Sequence, residues 1–227
     1  MESVDIHYEQ LTPLLEPDYD RAQITKERLC MIGIEEPGRF AVTLNGVLTP
    51  TECQELIRRT ELTGYSPALV QKGDGKYKLQ RAYLNGDWVI IHDKEFAARI
   101  FDRISRHLPK KFMNQKLIGM NERLRFLRYG VGHQFQTHSH ESYIREDKLA
   151  ATQLTVYIYL NDDSSYCGGD IYFTKYQVDD CVRVDPQSGM ALVFEHDIAH
   201  KDCAVTAGRK YILHCDIFYT RESQPTN

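Results

Sequence analysis

The sequence predicts a mainly β chain with flanking helices, an α+β domain built on a sandwich, barrel or jelly roll. Three observations carry that reading. From Glu122 onward the hydrophobic period changes from helical to strand-like. Several short strand patterns then recur at regular spacing, separated by turn signals at Asp162-Asp163, Asp185-Pro186 and Gly208. Upstream of them lie two helix patterns, and the chain has no internal repeat or low-complexity tract.

The 227 residues read as one domain with four parts. Residues 1–38 have weak periodicity and three prolines, Pro13, Pro17 and Pro37, and read as an arm that wraps the body or connects to it. Residues 39–120 hold the first strands and the helical support. Residues 121–220 form the β core, and 221–227 are a tail.

Within the second part, Phe40 to Leu48 is a short strand and turn. Thr49-Pro50-Thr51-Glu52 starts a helix: Thr49 caps, Pro50 suits the first helical position, and Glu52 completes a capping box. That helix runs to about Glu61 with Cys53, Leu56 and Ile57 on its apolar side, and Gly64 ends it. Lys72 to Lys78, with Gly73-Asp74-Gly75, is a surface loop. Asp93 to Leu108 is an amphipathic helix whose stripe is Phe96, Ala97, Ile100, Phe101, Ile104 and Leu108, suited to packing on a sheet.

In the third part, Arg123 and Arg125 alternate with Leu124, Phe126 and Tyr129. Ala151 to Leu160 is rich in Thr, Val, Ile and Tyr and reads as a strand. Asp170 to Phe173, Cys181 to Val184, Met190 to Phe194 and Lys210 to Tyr219 follow as further strands.

Composition narrows the function classes. Apolar residues are 42%, enough for a sizeable core. With 26% charged residues and a net charge of −4, nothing calls for nucleic acid or an anionic membrane as partner. The apolar runs fall far short of a bilayer span, and the acidic, polar N-terminus is unlike a signal peptide, so the expected location is cytoplasmic. Six cysteines without a Cys-x-x-Cys pair are expected to be free thiols.

Of nine histidines, His133, His138, His140 and His200 cluster where strands begin or end. Strand residues i and i+2 point to one face, so His138 and His140 present two imidazoles to one point. His200 can supply a third from a later strand. Spacing alone leaves a metal site and ordinary surface or core histidines both open. Imidazole suits Zn, Cu, Fe and Ni, so spacing does not choose a metal.

The block from Leu124 to Tyr219 resembles the prolyl 4-hydroxylase-like branch of the 2-oxoglutarate/Fe(II) oxygenases. The matching residues are Arg125-Phe-Leu-Arg-Tyr129-Gly-Val-Gly with His138, Thr155-Val-Tyr-Ile-Tyr159-Leu-Asn161-Asp, and Gly168-Gly169-Asp170. Pro186-Gln-Ser-Gly189, Leu192-Val-Phe194, and His200 with Val205, Gly208, Lys210 and Tyr211 complete the set. Leu48 to Cys53 and Arg81 to Trp88 also look like the family's N-terminal part.

The resemblance implies a double-stranded β-helix (jelly-roll) core with Fe(II), 2-oxoglutarate as co-substrate, O2, and ascorbate as a candidate reductant. The family holds iron with two histidines and a carboxylate. His138 and His200 match the histidine ligands. Lys210 matches the basic residue that grips the far carboxylate of 2-oxoglutarate, leaving Arg209 on the outer face. Tyr129 and Tyr159 match tyrosines that reach the co-substrate. The implied activity is oxidation of an unactivated C–H bond of a small molecule or of an amino-acid or peptidyl substrate.

The chain departs from the family at the carboxylate position, which is His140. Three readings compete: His140 is the third ligand, Glu141 swings in from the opposite strand face, or the position stays open or the protein has lost iron altogether. The first is favoured. Arg81, Asn85 and Trp88, with Tyr143, Arg145 and Glu146, are candidates for polar substrate contact, or ordinary exposed loop residues. Two rival functions remain: a three-histidine dioxygenase that does not use 2-oxoglutarate, and a non-catalytic binding protein with a relic pocket. Retention of Lys210, Tyr129 and Tyr159 argues against the former.

Overall fold

The structure is a computed structural model describing residues 4–31, 38–71, 77–174 and 181–221. Most of the Lys72–Lys78 loop, part of the arm and nearly all of the tail lie outside the described residues. The body is two facing β-sheets with two helices packed outside the larger one, the jelly-roll core that the strand spacing predicts.

Among the described residues the larger sheet has eleven strands. Its central order is Ile6–Tyr8, Asp87–His92, Arg123–Tyr129, Lys210–Thr220, Ala150–Tyr159, Ala191–Glu195, Ala41–Asn45 and Thr25–Arg28. The smaller sheet has five strands, in the order Cys181–Val184, Ile171–Thr174, His200–Asp202, Gln134–His138 and Leu84–Asn85. Both sheets therefore draw strands from the 39–120 segment as well as from the core.

Alternation divides the apolar residues into two cores. Leu154, Val156 and Ile158 face outward onto the helices, with Phe126, Leu213 and Cys215 beside them. Tyr157, Tyr159, Leu192, Phe194, Ile171 and Phe173 fill the space between the sheets. The inner face of Lys210–Thr220 is read from its register: Lys210, Ile212 and His214 stand opposite Tyr129, Leu127 and Arg125.

Helix α1 is Pro50–Thr63 and has the predicted capping box, with Gly64 at its C-cap. Helix α2 is Lys94–Ile104, capped by the Asp93 side chain and continued by a 3₁₀ turn, Ser105–His107. It ends earlier than the periodicity suggests, although Leu108 is still buried.

The helices are joined by an ion pair the apolar pattern does not announce. Arg103 donates to both Glu52 oxygens, at 2.7 and 2.8 Å, with side chains only 5% and 1% exposed. Glu52 also accepts from the backbone N–H groups of Thr49 and Glu16. The same carboxylate thus caps α1, anchors α2 and holds the arm.

The arm is more structured than its weak periodicity suggests. Ile6–Tyr8 pairs with Asp87–His92, and Thr25–Arg28 pairs with Ala41–Asn45. Strands of three and four residues are too short to show a period. Between them Leu11, Leu15 and Ile24 are buried, and the Leu11 N–H donates to Asp93. All six cysteines are free thiols; Cys53 and Cys215 are buried. Among the described residues no helix is long and apolar enough to cross a membrane.

Candidate active site

The predicted histidines meet between the two sheets. His138 and His200 are directly opposite each other on adjacent antiparallel strands of the smaller sheet. His140 lies just past the end of the Gln134–His138 strand, so strand alternation alone does not place it. Its backbone N–H donates to the His196 carbonyl at 2.7 Å, which turns its ring inward. One ligand atom from each of His138, His140 and His200 lies within 4.8 Å of the others.

The hydrogen bonds behind the rings fix where their protons sit. Nδ1 of His138 is 2.8 Å from the Gln136 carbonyl, and Nδ1 of His200 is 3.1 Å from the Ile198 carbonyl. A carbonyl only accepts, so each Nδ1 carries the proton and each Nε2 presents a lone pair. His140 and His138 bring their Nε2 atoms to 3.3 Å. The Tyr157 hydroxyl lies 3.2 Å from His140 Nε2 and 3.4 Å from His200 Nε2. Its single proton serves one of them.

Burial keeps these rings neutral. It lowers His138 to about 3, with His200 adding to the effect, and lowers His200 to about 4. His140 is pushed well below its usual range by burial and then by His214 and the other neighbouring histidines. Three converging neutral imidazoles, two of them buried with their protons held outward and His140 half-buried, are a donor set for a borderline divalent cation such as Fe(II), Zn(II), Cu(II) or Ni(II). Glu141 is exposed and belongs to no ligand group among the described residues.

A second polar layer lies behind His140. Thr155 Oγ1 is 2.7 Å from His140 Nδ1 and 2.8 Å from His196 Nδ1. His214 stacks on His140 with centroids 4.8 Å apart. Arg125 pairs with Asp216 at 2.5 Å and touches His214. The Asp216 carboxyl is held far below the carboxylate range by Arg125 and His214, against burial that opposes it. Burial and then Arg125 lower His214 to about 4. Arg125 is thus an inner-face residue, not part of a solvated polar alternation.

The sequence reading missed this layer, although one signal was present. Alternation along Lys210–Thr220 puts Lys210, His214 and Asp216 on one face. Likewise Thr155, Tyr157 and Tyr159 share the inner face of Ala150–Tyr159. His133 joins neither ligand group.

Lys210 is buried and Arg209 exposed, as the face argument requires. Lys210 Nζ lies 5.6 Å from the Tyr129 ring centre and 5.8 Å from that of Tyr159. It donates to the Gly169 carbonyl at 2.6 Å and to Asp202 at 2.9 Å. Burial, and after it the Asp202 carboxylate, raises both tyrosines well above their usual range, so they stay protonated donors. The buried Tyr159 hydroxyl has no partner among the described residues.

Among the predicted substrate contacts, Arg81 bonds Asn85, Trp88 packs edge-on against Tyr77, and Arg145 pairs with Asp147. Tyr143 and Glu146 are exposed. The structure brings none of these six into the histidine cluster.

Residues 124–218, less than half of the chain, match the family described as the 2OG-Fe(II) oxygenase superfamily. Among solved structures, a prolyl hydroxylase from Trichoplax adhaerens, in complex with a hypoxia inducible factor oxygen degradation domain peptide fragment, has a TM-score of 0.62 at 18% identity. The likeness covers 80% of this chain and 84% of that one. A Pseudomonas putida prolyl-4-hydroxylase has a TM-score of 0.56 at 16% identity, covering 81% and 94%. A viral collagen prolyl hydroxylase from Paramecium Bursaria Chlorella virus-1, a 2OG complex, has a TM-score of 0.53 at 17% identity, covering 80% and 97%. No curated protein matches the sequence.

Proposed function

From its 2OG-Fe(II) oxygenase domain, residues 124–218, which makes the chain an Fe(II)- and 2-oxoglutarate-dependent oxygenase, we propose that it oxidises an unactivated C–H bond using a three-histidine metal site. The ligands are His138, His140 and His200. The substrate is a small molecule or an amino-acid or peptidyl group; the peptide-bound Trichoplax neighbour supports the peptidyl class. The observation that carries the ligand assignment is the convergence of three imidazole rings, one nitrogen of each within 4.8 Å of the others, with His138 and His200 held in the tautomer that leaves Nε2 free to ligate.

Fe(II), 2-oxoglutarate and O2 together supply an oxidant able to attack an unreactive C–H bond, with succinate and CO2 as co-products. The chain's own residues do the positioning. The Gln136 and Ile198 carbonyls hold two imidazoles in the ligating tautomer. Lys210 supplies a fixed positive charge, and Tyr129 and Tyr159 supply hydroxyl donors for the co-substrate, at the wall opposite the histidines. Phe173 and Phe194 pack against His200 and keep water from it.

The test is the visible spectrum of metal-free protein given Fe(II) and 2-oxoglutarate without oxygen, with His140→Ala alongside. A charge-transfer band of a chelated 2-keto acid in the wild type, lost or shifted in the variant, is the expected result. Bound iron without that band would overturn the co-substrate assignment.

A further inference from the structure

Lys210 already has a carboxylate partner. Its Nζ is 2.9 Å from Asp202 Oδ1, and the two side chains are 1% and 2% exposed. Asp202 lies two residues beyond His200 on the same strand, and both are buried. It therefore shares the ligand's face and looks into the same space. Its strand has a neighbour on each side, with Asp202 opposite Phe135 on one and Ile171 on the other. The carboxylate is held in the middle of the smaller sheet rather than at a free edge.

The surroundings of the pair are built to keep it. Gly169 has a positive φ of 68°, and a Cβ there would lie 2.9 Å from Val205 Cγ2 and 3.2 Å from Lys210 Cδ. Only glycine lets that carbonyl approach Nζ to 2.6 Å. An ammonium has three protons, so one remains after Gly169 and Asp202 are served. The charge is already balanced, one cation to one anion. Around Nζ a second carboxylate would have to share that one cation with Asp202, and two carboxylates beside a single ammonium repel each other. An uncharged tail meets no such penalty.

We propose that Asp202 is a resident counter-ion for Lys210 that competes with the far carboxylate of 2-oxoglutarate, so that the pocket accepts 2-oxo acids with an uncharged tail about as well as the dicarboxylate. This rests on the 2-oxo acid reading of the site given above. Asp202 acts here as a specificity-determining residue for the co-substrate.

The experiment is calorimetric titration of the full chain, loaded with Fe(II) without oxygen, with two probes. 2-Oxoglutarate and 2-oxopentanoate have the same carbon chain and differ only in the far carboxylate. In the wild type the two dissociation constants are expected to fall within about ten-fold of each other. In Asp202→Asn, 2-oxoglutarate is expected to bind at least about ten-fold more tightly than in the wild type, with 2-oxopentanoate unchanged. Should that variant fail to fold, the wild-type comparison decides alone. A wild-type preference for 2-oxoglutarate beyond about ten-fold, or no gain in Asp202→Asn, overturns the role of Asp202 but leaves the co-substrate reading standing. Binding of neither probe to the iron-loaded wild type overturns both.

Discussion

Thr155 Oγ1 lies 2.7 Å from His140 Nδ1. If His140 ligates through Nε2, its Nδ1 must carry the proton and donate to that hydroxyl. The hydroxyl proton then goes to His196 Nδ1, 2.8 Å away on the other side. One threonine therefore sets the tautomer of two histidines. Thr155→Val keeps the shape and removes both bonds. It is expected to weaken Fe(II) binding by about 10- to 100-fold, the usual effect of losing a partner behind a metal ligand. Thr155→Ser keeps the hydroxyl and is expected to stay near the wild type. Competition with a chromophoric chelator measures both; equal affinity for Thr155→Val and the wild type would remove Thr155 from this role.

The metal-free protein is expected to lose stability in mild acid. His138, His200 and His214 titrate lower in the folded chain than in the unfolded one, to about 3, 4 and 4. A group whose folded value is depressed contributes nothing adverse above its unfolded value of about 6.5. Below that, the unfolded chain takes up protons that the folded chain does not, and stability falls. The loss runs from about pH 6.5 down to about pH 4 for His200 and His214 and to about pH 3 for His138, and amounts to roughly 3 kcal/mol for His214 alone. Denaturant midpoints across this range check it, and a His214→Phe variant should show a shallower slope. A flat profile between pH 6.5 and 4 would contradict the buried neutral state.

Arg103→Met should destabilise the fold by about 3–5 kcal/mol, because it leaves the Glu52 carboxylate buried without its cation. The double replacement Arg103→Met with Glu52→Gln should recover part of that loss. Thermal or urea unfolding of these two variants and of Glu52→Gln alone reads the coupling, and an unchanged midpoint for Arg103→Met would contradict it.

Gly189→Ala should be among the most damaging small changes. Gly189 has φ of 81°, and its carbonyl accepts from the N–H groups of Val47 and Leu48. A Cβ there would meet the Leu48 carbonyl oxygen at 2.0 Å, where only backbone can give way. The left-handed strain alone costs about 1–2 kcal/mol, and displacing the Val47–Leu48 turn adds to it. Unfolding midpoints measure the loss; a value within experimental scatter of the wild type would rule out the close approach.

The parts legible in the sequence were those with a strong local or patterned signal. The α1 capping box and the α2 stripe follow from spacing and appear as expected, whereas Lys210 was reached by resemblance, with spacing adding only that Arg209 and Lys210 face opposite ways. His138 and His200 were reached by resemblance, and their cross-strand pairing gives the physical reason they meet. The layer of His196, His214 and Asp216 was not reached. Lys210–Thr220 is buried on both faces, so its polar residues do not stand out against a solvated side. Asp202 escaped for a different reason: its meaning depends on Lys210, eight residues on and on another strand. Arg103 sits among the buried residues of α2, and only the partner carboxylate on α1 explains a cation there.

The arm has a consequence for how molecules of this protein behave together. A sheet that is not closed offers unpaired N–H and C=O groups at its two outermost strands, a template for joining another chain. Here the arm supplies the outermost strand at each end of the central order of the larger sheet. At one end that strand is Thr25–Arg28, exposed along its whole length and carrying Lys26, Glu27 and Arg28. Short charged edges discourage strand-to-strand joining. The strand it covers, Ala41–Asn45, is nearly all buried and apolar in character. Without the first thirty residues that strand becomes the border, and the chain would be prone to aggregate through it rather than merely lose stability.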